Sequence, residues 1–233
     1  MRIEIAARHL LNVPRSPLGV LFLVLGMASG QAPPADFLSR TVPRDLSVAE
    51  QSPVYAAHDV LLWAKLAGGV VYLGGDGQAA DVFIPEGTIV SDALNRVLGG
   101  QNKYIWREID GVLDILPQKD QPPLLSANIP FFEWRSSESP GGVVGRLQQL
   151  PEVLRRMSQL GYVDGLHYGG GLQKQPRVGA PPPPTEDPQV FVRRNIALLD
   201  LLNEIVKSYS RAAIWWYNEV AQGQVRAVTI SAR

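Results

Sequence analysis

Along this chain, apolar residues recur at two spacings, and the change from one to the other marks out its elements. After Ser52-Pro53, a cap followed by a proline suited to a first helical turn, His58, Leu62 and Leu66 fall at i, i+4 and i+8. Val60, Trp63 and Ala67 lie beside them, which predicts a helix stopped by Gly68-Gly69. The runs VVYL (70–73) and DVFI (81–84) are short, apolar and bounded by turn residues, and read as strands. Thr88 then stands where a cap is needed for a second helix, with the stripe Val90, Ala93/Leu94, Val97/Leu98 and a Gly99-Gly100 stop. The stretch KYIWREIDGVLDILP alternates on both sides of Asp110-Gly111, a strong signal for a two-residue hairpin. The expected order is α-β-β-α-β-β, closed by the segment 117–123.

The second half repeats this grammar less cleanly. LLSANIPFFEWR reads as a strand or extended segment, and the helical stretch 142–161 should break near Leu150 because Pro151 cannot continue it. Residues 169–188, with four consecutive prolines, predict an exposed polyproline-type insertion. A strand VFVRR, a cap at Asn195, a helix through Ser208, a strand AAIWWYNE and a last strand RAVTIS follow. Residues 81–98 aligned on 189–206, a shift of 108 positions, match identically at Val82/Val190, Phe83/Phe191, Asp92/Asp200, Leu94/Leu202 and Asn95/Asn203. We read this as an internal duplication. The predicted class is α+β: two related small βαβ-type modules, at 51–117 and 124–233, with helices packed on short mixed sheets. One shared sheet is the alternative, because the link between the halves is short.

The amino-terminal segment bears on location. An Arg-bearing start, the apolar run Leu18–Ala28 and the small residues Ala28-Ser29-Gly30 predict a secretory signal peptide over 1–30, followed by a flexible lead over 31–50. The run has eleven residues, against about 20 needed to cross a bilayer core, so no stable membrane span is expected. The expected location is periplasmic or secreted.

The chain of 233 residues is 45% hydrophobic and 19% charged, which fits a folded protein. Its formal charge is +0; three of 22 basic and one of 22 acidic residues lie in the first thirty, leaving 19 and 21, a net of −2. No nucleic-acid partner is expected from such a balance. The absence of cysteine excludes disulfides, thiolate metal sites and a cysteine nucleophile.

Two sets of motif residues resemble the short amino-terminal domain of secretins and TonB-dependent transducers (STN-like). The pattern "v-x-f-x-g-t-x-x-e-A-L-x-x-L-L" reads here VFIPEGTIVSDALNRVL, and "y-x-w…g-x-x-I-x-P" reads YIWREIDGVLDILP. The resemblance is best over 54–117 and partly repeated over 190–231. It implies a βαβ fold used for protein–protein contact.

Motifs for chemistry are weak. Gly75-x-Gly77-x-x-Ala80 follows a strand, but Pro85 lies where a dinucleotide fingerprint needs a helix, so a plain turn is expected. Asp76 and Asp81, with Asp110 and Asp114, fall short of a calcium loop. His58 lies on an apolar stripe, and His167, in a loop, has no nucleophile motif with it. We therefore expect no enzyme, catalytic residue, metal or cofactor.

The residues singled out for partner binding are Trp215, Tyr217, Arg193 and Arg194. Strand alternation puts Trp216 opposite Trp215 and Tyr217. The duplication sets Trp216 against Trp106, which suggests that Trp216 faces inward and the other two face a partner or a sugar; cover by the proline-rich loop or by the neighbouring module is the alternative. The leading expectation is an exported adaptor of the bacterial cell envelope that binds envelope proteins through sheet edges and this aromatic face, with a homo-oligomer allowed. A carbohydrate- or peptidoglycan-binding module is the alternative, and a small envelope hydrolase using His167 is a third reading.

Overall fold

The computed structural model describes residues 39–48, 52–74, 81–99, 103–161, 188–209, 213–219 and 226–232, the last stretch by its backbone alone. Helix α1 (Pro53–Trp63) begins where Ser52 Oγ accepts a bond from Val54 N at 3.3 Å. It ends earlier than the glycines suggest. Lys65 adopts φ 55°, with Leu66 N bonded to Leu61 O and Lys65 N to Leu62 O, the paired bonds of a Schellman stop. Gly68 and Gly69 instead open strand β2 (Gly68–Tyr72), where they serve close packing. A Cβ on Gly68 would lie 2.7 Å from Leu61 Cδ1, and one on Gly69 would fall inside the indole of Trp215.

Strand β1 (Leu46–Val48) lies within the stretch expected to be a flexible lead, and pairs antiparallel with β3 (Val82–Ile84). Leu46 and Ile84 turn inward across that pair, so burial fixes the segment where composition suggested freedom. Helix α2 (Val90–Leu98) follows without the expected cap: Thr88 Oγ1 donates to Pro85 O at 2.7 Å and holds the preceding turn. The hairpin of β4 (Tyr104–Ile109) and β5 (Val112–Pro117) turns at Asp110 (φ 49°) and Gly111 (φ 87°), both in the left-handed region that a two-residue hairpin of this kind needs.

In the second half, β6 (Asn128–Arg135) pairs antiparallel with β7 (Val190–Ala197). Helices α3 (Pro140–Gln148) and α4 (Pro151–Gln159) are separated at Leu150, with Pro151 in the first turn of α4. Asn195 does not cap α5 (Leu198–Ser208): it lies inside β7 at φ 50°, and Ala197 takes the cap position. Gly87, 108 residues earlier, has φ 81°, so the turn before each helix uses the same backbone twist. Strands β8 (Ala213–Glu219) and β9 (Arg226–Ala232) form the last hairpin.

The two halves share one sheet. Its order is β4-β5-β2-β8-β9, with β2 parallel to β5 on one side and to β8 on the other. The separation drawn at 117–123 is therefore not a boundary between independent bodies. One face of this sheet contributes Val70, Leu113, Ile115 and Ile214 to a core with α1, α2 and the β1–β3 pair. The other face contributes Val71, Val112, Leu116, Trp215 and Tyr217 to a core with α5, α3, α4 and the β6–β7 pair. The class is α+β. Because both faces are covered, Gly68–Val71 are all buried, as the central strand of a parallel arrangement should be.

Candidate functional site: a polar seam, a cavity and an open strand edge

Strand register aligns four residues across the sheet: Arg107 on β4, Asp114 on β5, Gly69 on β2 and Trp215 on β8. Gly69 leaves a notch, and the Trp215 indole fills it. From α5, Asn203 reaches down onto this row. Its Oδ1 accepts from Trp215 Nε1 at 2.6 Å, and its Nδ2 donates to Asp114 Oδ2 at 2.8 Å. Asp114 is fully buried, Asn203 is 5% exposed and Trp215 is 0% exposed. Asp114 Oδ1 and Arg107 Nε find no partner among the described residues. Burial raises the Asp114 carboxyl from 3.8 to about 6, against the lowering effects of the Asn203 bond and the Arg107 charge; Asp200 adds to the rise. This polar seam ties β5 of the first half to α5 and β8 of the second.

The first half has an outer counterpart. Asn95, the residue aligned with Asn203, accepts from Trp106 Nε1 at 2.8 Å on the surface. The indole held by the aligned asparagine thus pairs Trp106 with Trp215, whereas the sequence reading paired it with Trp216.

That shift reverses the expected aromatic surface. Trp215 and Tyr217 are both 0% exposed, because the sheet face they occupy is covered by α5 and its neighbours. Trp216 does lie on the opposite face, packed 4.9 Å from Tyr55 and 5.1 Å from His58 between ring centroids. The aromatics that motivated a sugar platform are interior.

Arg193 and Arg194 part company on β7. Arg193 turns inward and pairs with Glu204 at 2.6 Å. Arg194 turns outward, 5.1 Å over the ring of Phe131. On that outer face Phe131, Val190 and Val192 are 45%, 53% and 41% exposed, an apolar strip sequence reasoning missed. Local alternation could have found it: Phe131, Val190 and Val192 each lie one position from a residue of the inner face, Phe132 or Phe191. The strand phase shifts at Pro130 and Asn195, so the face could not be followed from one end of the ribbon to the other.

The two edges of this ribbon differ. Ser136 N bonds Gln189 O, which fixes 134/191 and 132/193 as the hydrogen-bonded pairs and turns the main-chain groups of Phe131, Glu133 and Arg135 on β6, and of Val190, Val192 and Arg194 on β7, outward. On β6 three of the outward groups are capped: Arg146 donates to Glu133 O at 2.7 Å, Arg135 N donates to Glu138 at 2.8 Å, and Glu138 N donates to Arg135 O at 3.0 Å. Arg146 and Glu138 also pair at 2.8 Å. On β7 only Val192 O has a partner among the described residues, the Arg193 guanidinium at 3.0 Å. Beside β7, away from β6, lies a cavity of about 260 Å³. Ile109, Val112 and Ile196 supply its apolar wall, and Asp110, Asp200 and Lys207 stand at its rim. Arg193, Glu204 and Asn203 complete it, the last linking it to the seam.

His167, the motif 75–80 with Asp76, and residues 169–187 of the insertion lie outside the described residues, as does the segment 1–30. Among the described residues no three His, Asp or Glu side chains gather as a metal site, and no helix is long and apolar enough to cross a membrane. Comparison of the chain with protein-family models, with curated proteins and with solved structures returned no match.

Proposed function

We propose that this chain is an exported, non-catalytic adaptor of the bacterial cell envelope that binds another envelope protein through the β6–β7 ribbon. The observation that carries the reading is the exposed strip of Phe131, Val190 and Val192 beside Arg194 on a two-stranded ribbon whose β7 edge is open. Isolated apolar side chains on a surface mean little, but three on one ribbon face, with an arginine over an aromatic ring, have the composition of contact surfaces. Support for the envelope comes from the signal-like segment 1–30, and support for protein contact from the resemblance to the secretin and transducer domain. Arg194 keeps the role expected of it, while the surface itself moves from Trp215 and Tyr217 to Phe131, Val190 and Val192.

The experiment is affinity capture. The chain from Gln31 to Arg233, tagged at its carboxyl end, is incubated with envelope extract from its own organism, and retained proteins are identified by mass spectrometry. One or two stoichiometric envelope proteins are expected. Retention of cell-wall fragments alone, or a shift of tryptophan emission on titration with such fragments, contradicts the adaptor reading.

A further inference from the structure

Resting on the adaptor reading, the asymmetry of the ribbon's edges says how a partner is held. An unprotected strand edge is a template for another strand, and folded proteins blunt such edges where pairing is unwanted. Here the β6 edge has three of its outward groups occupied and the β7 edge one. Arg146 and Glu138 occupy Glu133 O and both main-chain groups of Arg135 on β6, whereas the outward amides of Val190, Val192 and Arg194 make no bond among the described residues. The Arg193 bond to Val192 O leaves that carbonyl a second lone pair.

The cavity adds the second half of a recognition site. Side chains of a strand alternate between its faces, so a segment laid along β7 would turn every second side chain toward Arg193 and Ile196, into the cavity. Glu204 is engaged there by Arg193 at 2.6 Å and by Lys207 at 4.0 Å. Asp110 and Asp200, at the rim, have no partner among the described residues. The charge left over is negative, and the wall of Ile109, Val112 and Ile196 suits an aliphatic stem. A lysine or arginine meets both demands. On the outer face, Val190 and Val192 call for apolar neighbours and Arg194 for an acid.

We propose that β7 accepts an extended segment of a partner protein as an added strand, with an inward basic side chain seated in the cavity between β7, α5 and the β4–β5 turn. The pattern is a basic residue inside, apolar residues outside, and an acid against Arg194.

The probe is a fluorescein-labelled octapeptide alternating Val and Lys, with a Glu placed to meet Arg194, titrated by anisotropy against the full chain. Controls are the same peptide with Glu in place of Lys, and versions N-methylated at alternate residues in either phase. Val192→Pro removes an outward N–H while leaving the β6 pairing intact, as a proline on an edge strand can. Asp200→Lys alters the cavity on an exposed helical position and leaves the edge untouched; unchanged tryptophan emission checks the fold of both. Saturable binding is expected, about tenfold weaker for Val192→Pro and for one N-methyl phase, the loss of roughly one main-chain bond. Asp200→Lys should invert the preference between the Lys and Glu peptides. Absence of saturable binding overturns the proposal, as does binding indifferent to both variants. So does a dimer of the chain that Val192→Pro dissociates in sedimentation, with no peptide bound. Capture of an envelope protein that Val192→Pro leaves intact removes strand addition but keeps the adaptor reading.

Discussion

Replacing Asp114 with asparagine changes the charge at the seam and little else in shape. In the folded chain the carboxyl titrates at about 6, and in the unfolded chain near the ordinary value of about 3.9. A raised folded value means that the native state holds the proton more tightly. Between about pH 4 and 6 the native state therefore binds more protons than the unfolded state, and stability falls as pH rises. The stabilising contribution is complete below about pH 4 and is gone once pH has passed through about 6. The shift is about 2 units at about 1.4 kcal/mol each, so ionising Asp114 costs about 3 kcal/mol by pH 7. Asp114→Asn keeps an acceptor for Asn203 and cannot ionise. Against the wild type it should gain stability with rising pH, half of the gain being reached near pH 5 and a plateau of at most about 3 kcal/mol above about pH 6, reduced by whatever attraction to Arg107 is lost. Urea unfolding followed by tryptophan emission, from pH 4.5 to 8 in both proteins, measures this. Titration of the other carboxyl groups cancels in the difference. A difference that stays flat, or that falls as pH rises, would refute the reasoning.

Asn203→Ala should cost about 2–4 kcal/mol in urea unfolding, since it leaves the Trp215 N–H and the Asp114 carboxyl unpaired in the core, while Asn95→Ala, at the exposed counterpart, should cost under about 1 kcal/mol. Equal losses would show that burial is not what separates the two. Gly69→Ala places a methyl group inside the Trp215 indole and should lower stability by about 1–3 kcal/mol with a changed near-ultraviolet spectrum of the tryptophans; an unaltered spectrum would contradict the packing. Asp110→Gly should raise stability by a few tenths to about 1 kcal/mol, because φ 49° is free to glycine; a loss in thermal unfolding would speak against that turn geometry.

Most elements were legible, since helical and strand periodicities are local. The β4–β5 hairpin, the break at Pro151 and the α+β class follow from residues within a few positions of one another. Three features were not. Strand β1 is only three residues, and its pairing with β3 depends on residues 34 to 38 positions away. The helix stop at Lys65 uses a residue that carries no stop signal, while of the glycines beyond it Gly68 answers to Leu61 and Leu113, and Gly69 to Trp215, 146 residues on. The pairing of β2 with β8 is equally remote, and it decides everything about the aromatics. Alternation correctly set Trp216 against Trp215 and Tyr217, but which side meets solvent depends on whether α5 covers it. For the site, the match of Asn95 with Asn203 was visible in the alignment, and its meaning, a helix asparagine holding a strand indole, needed the fold. Arg193 and Arg194 were singled out together, and only the strand register separates the inward one from the outward one.

The most direct test of the account is a matched capture. Wild type and a Phe131→Ser, Val192→Ser double variant, shown to have the same urea midpoint, are exposed to the same envelope extract and the retained proteins quantified. Both side chains are more than 40% exposed, so stability should differ by no more than about 0.5 kcal/mol. The account predicts a stoichiometric envelope protein on the wild type and at least a tenfold reduction on the variant. Equal retention by both would contradict it and free the ribbon face of any role in binding.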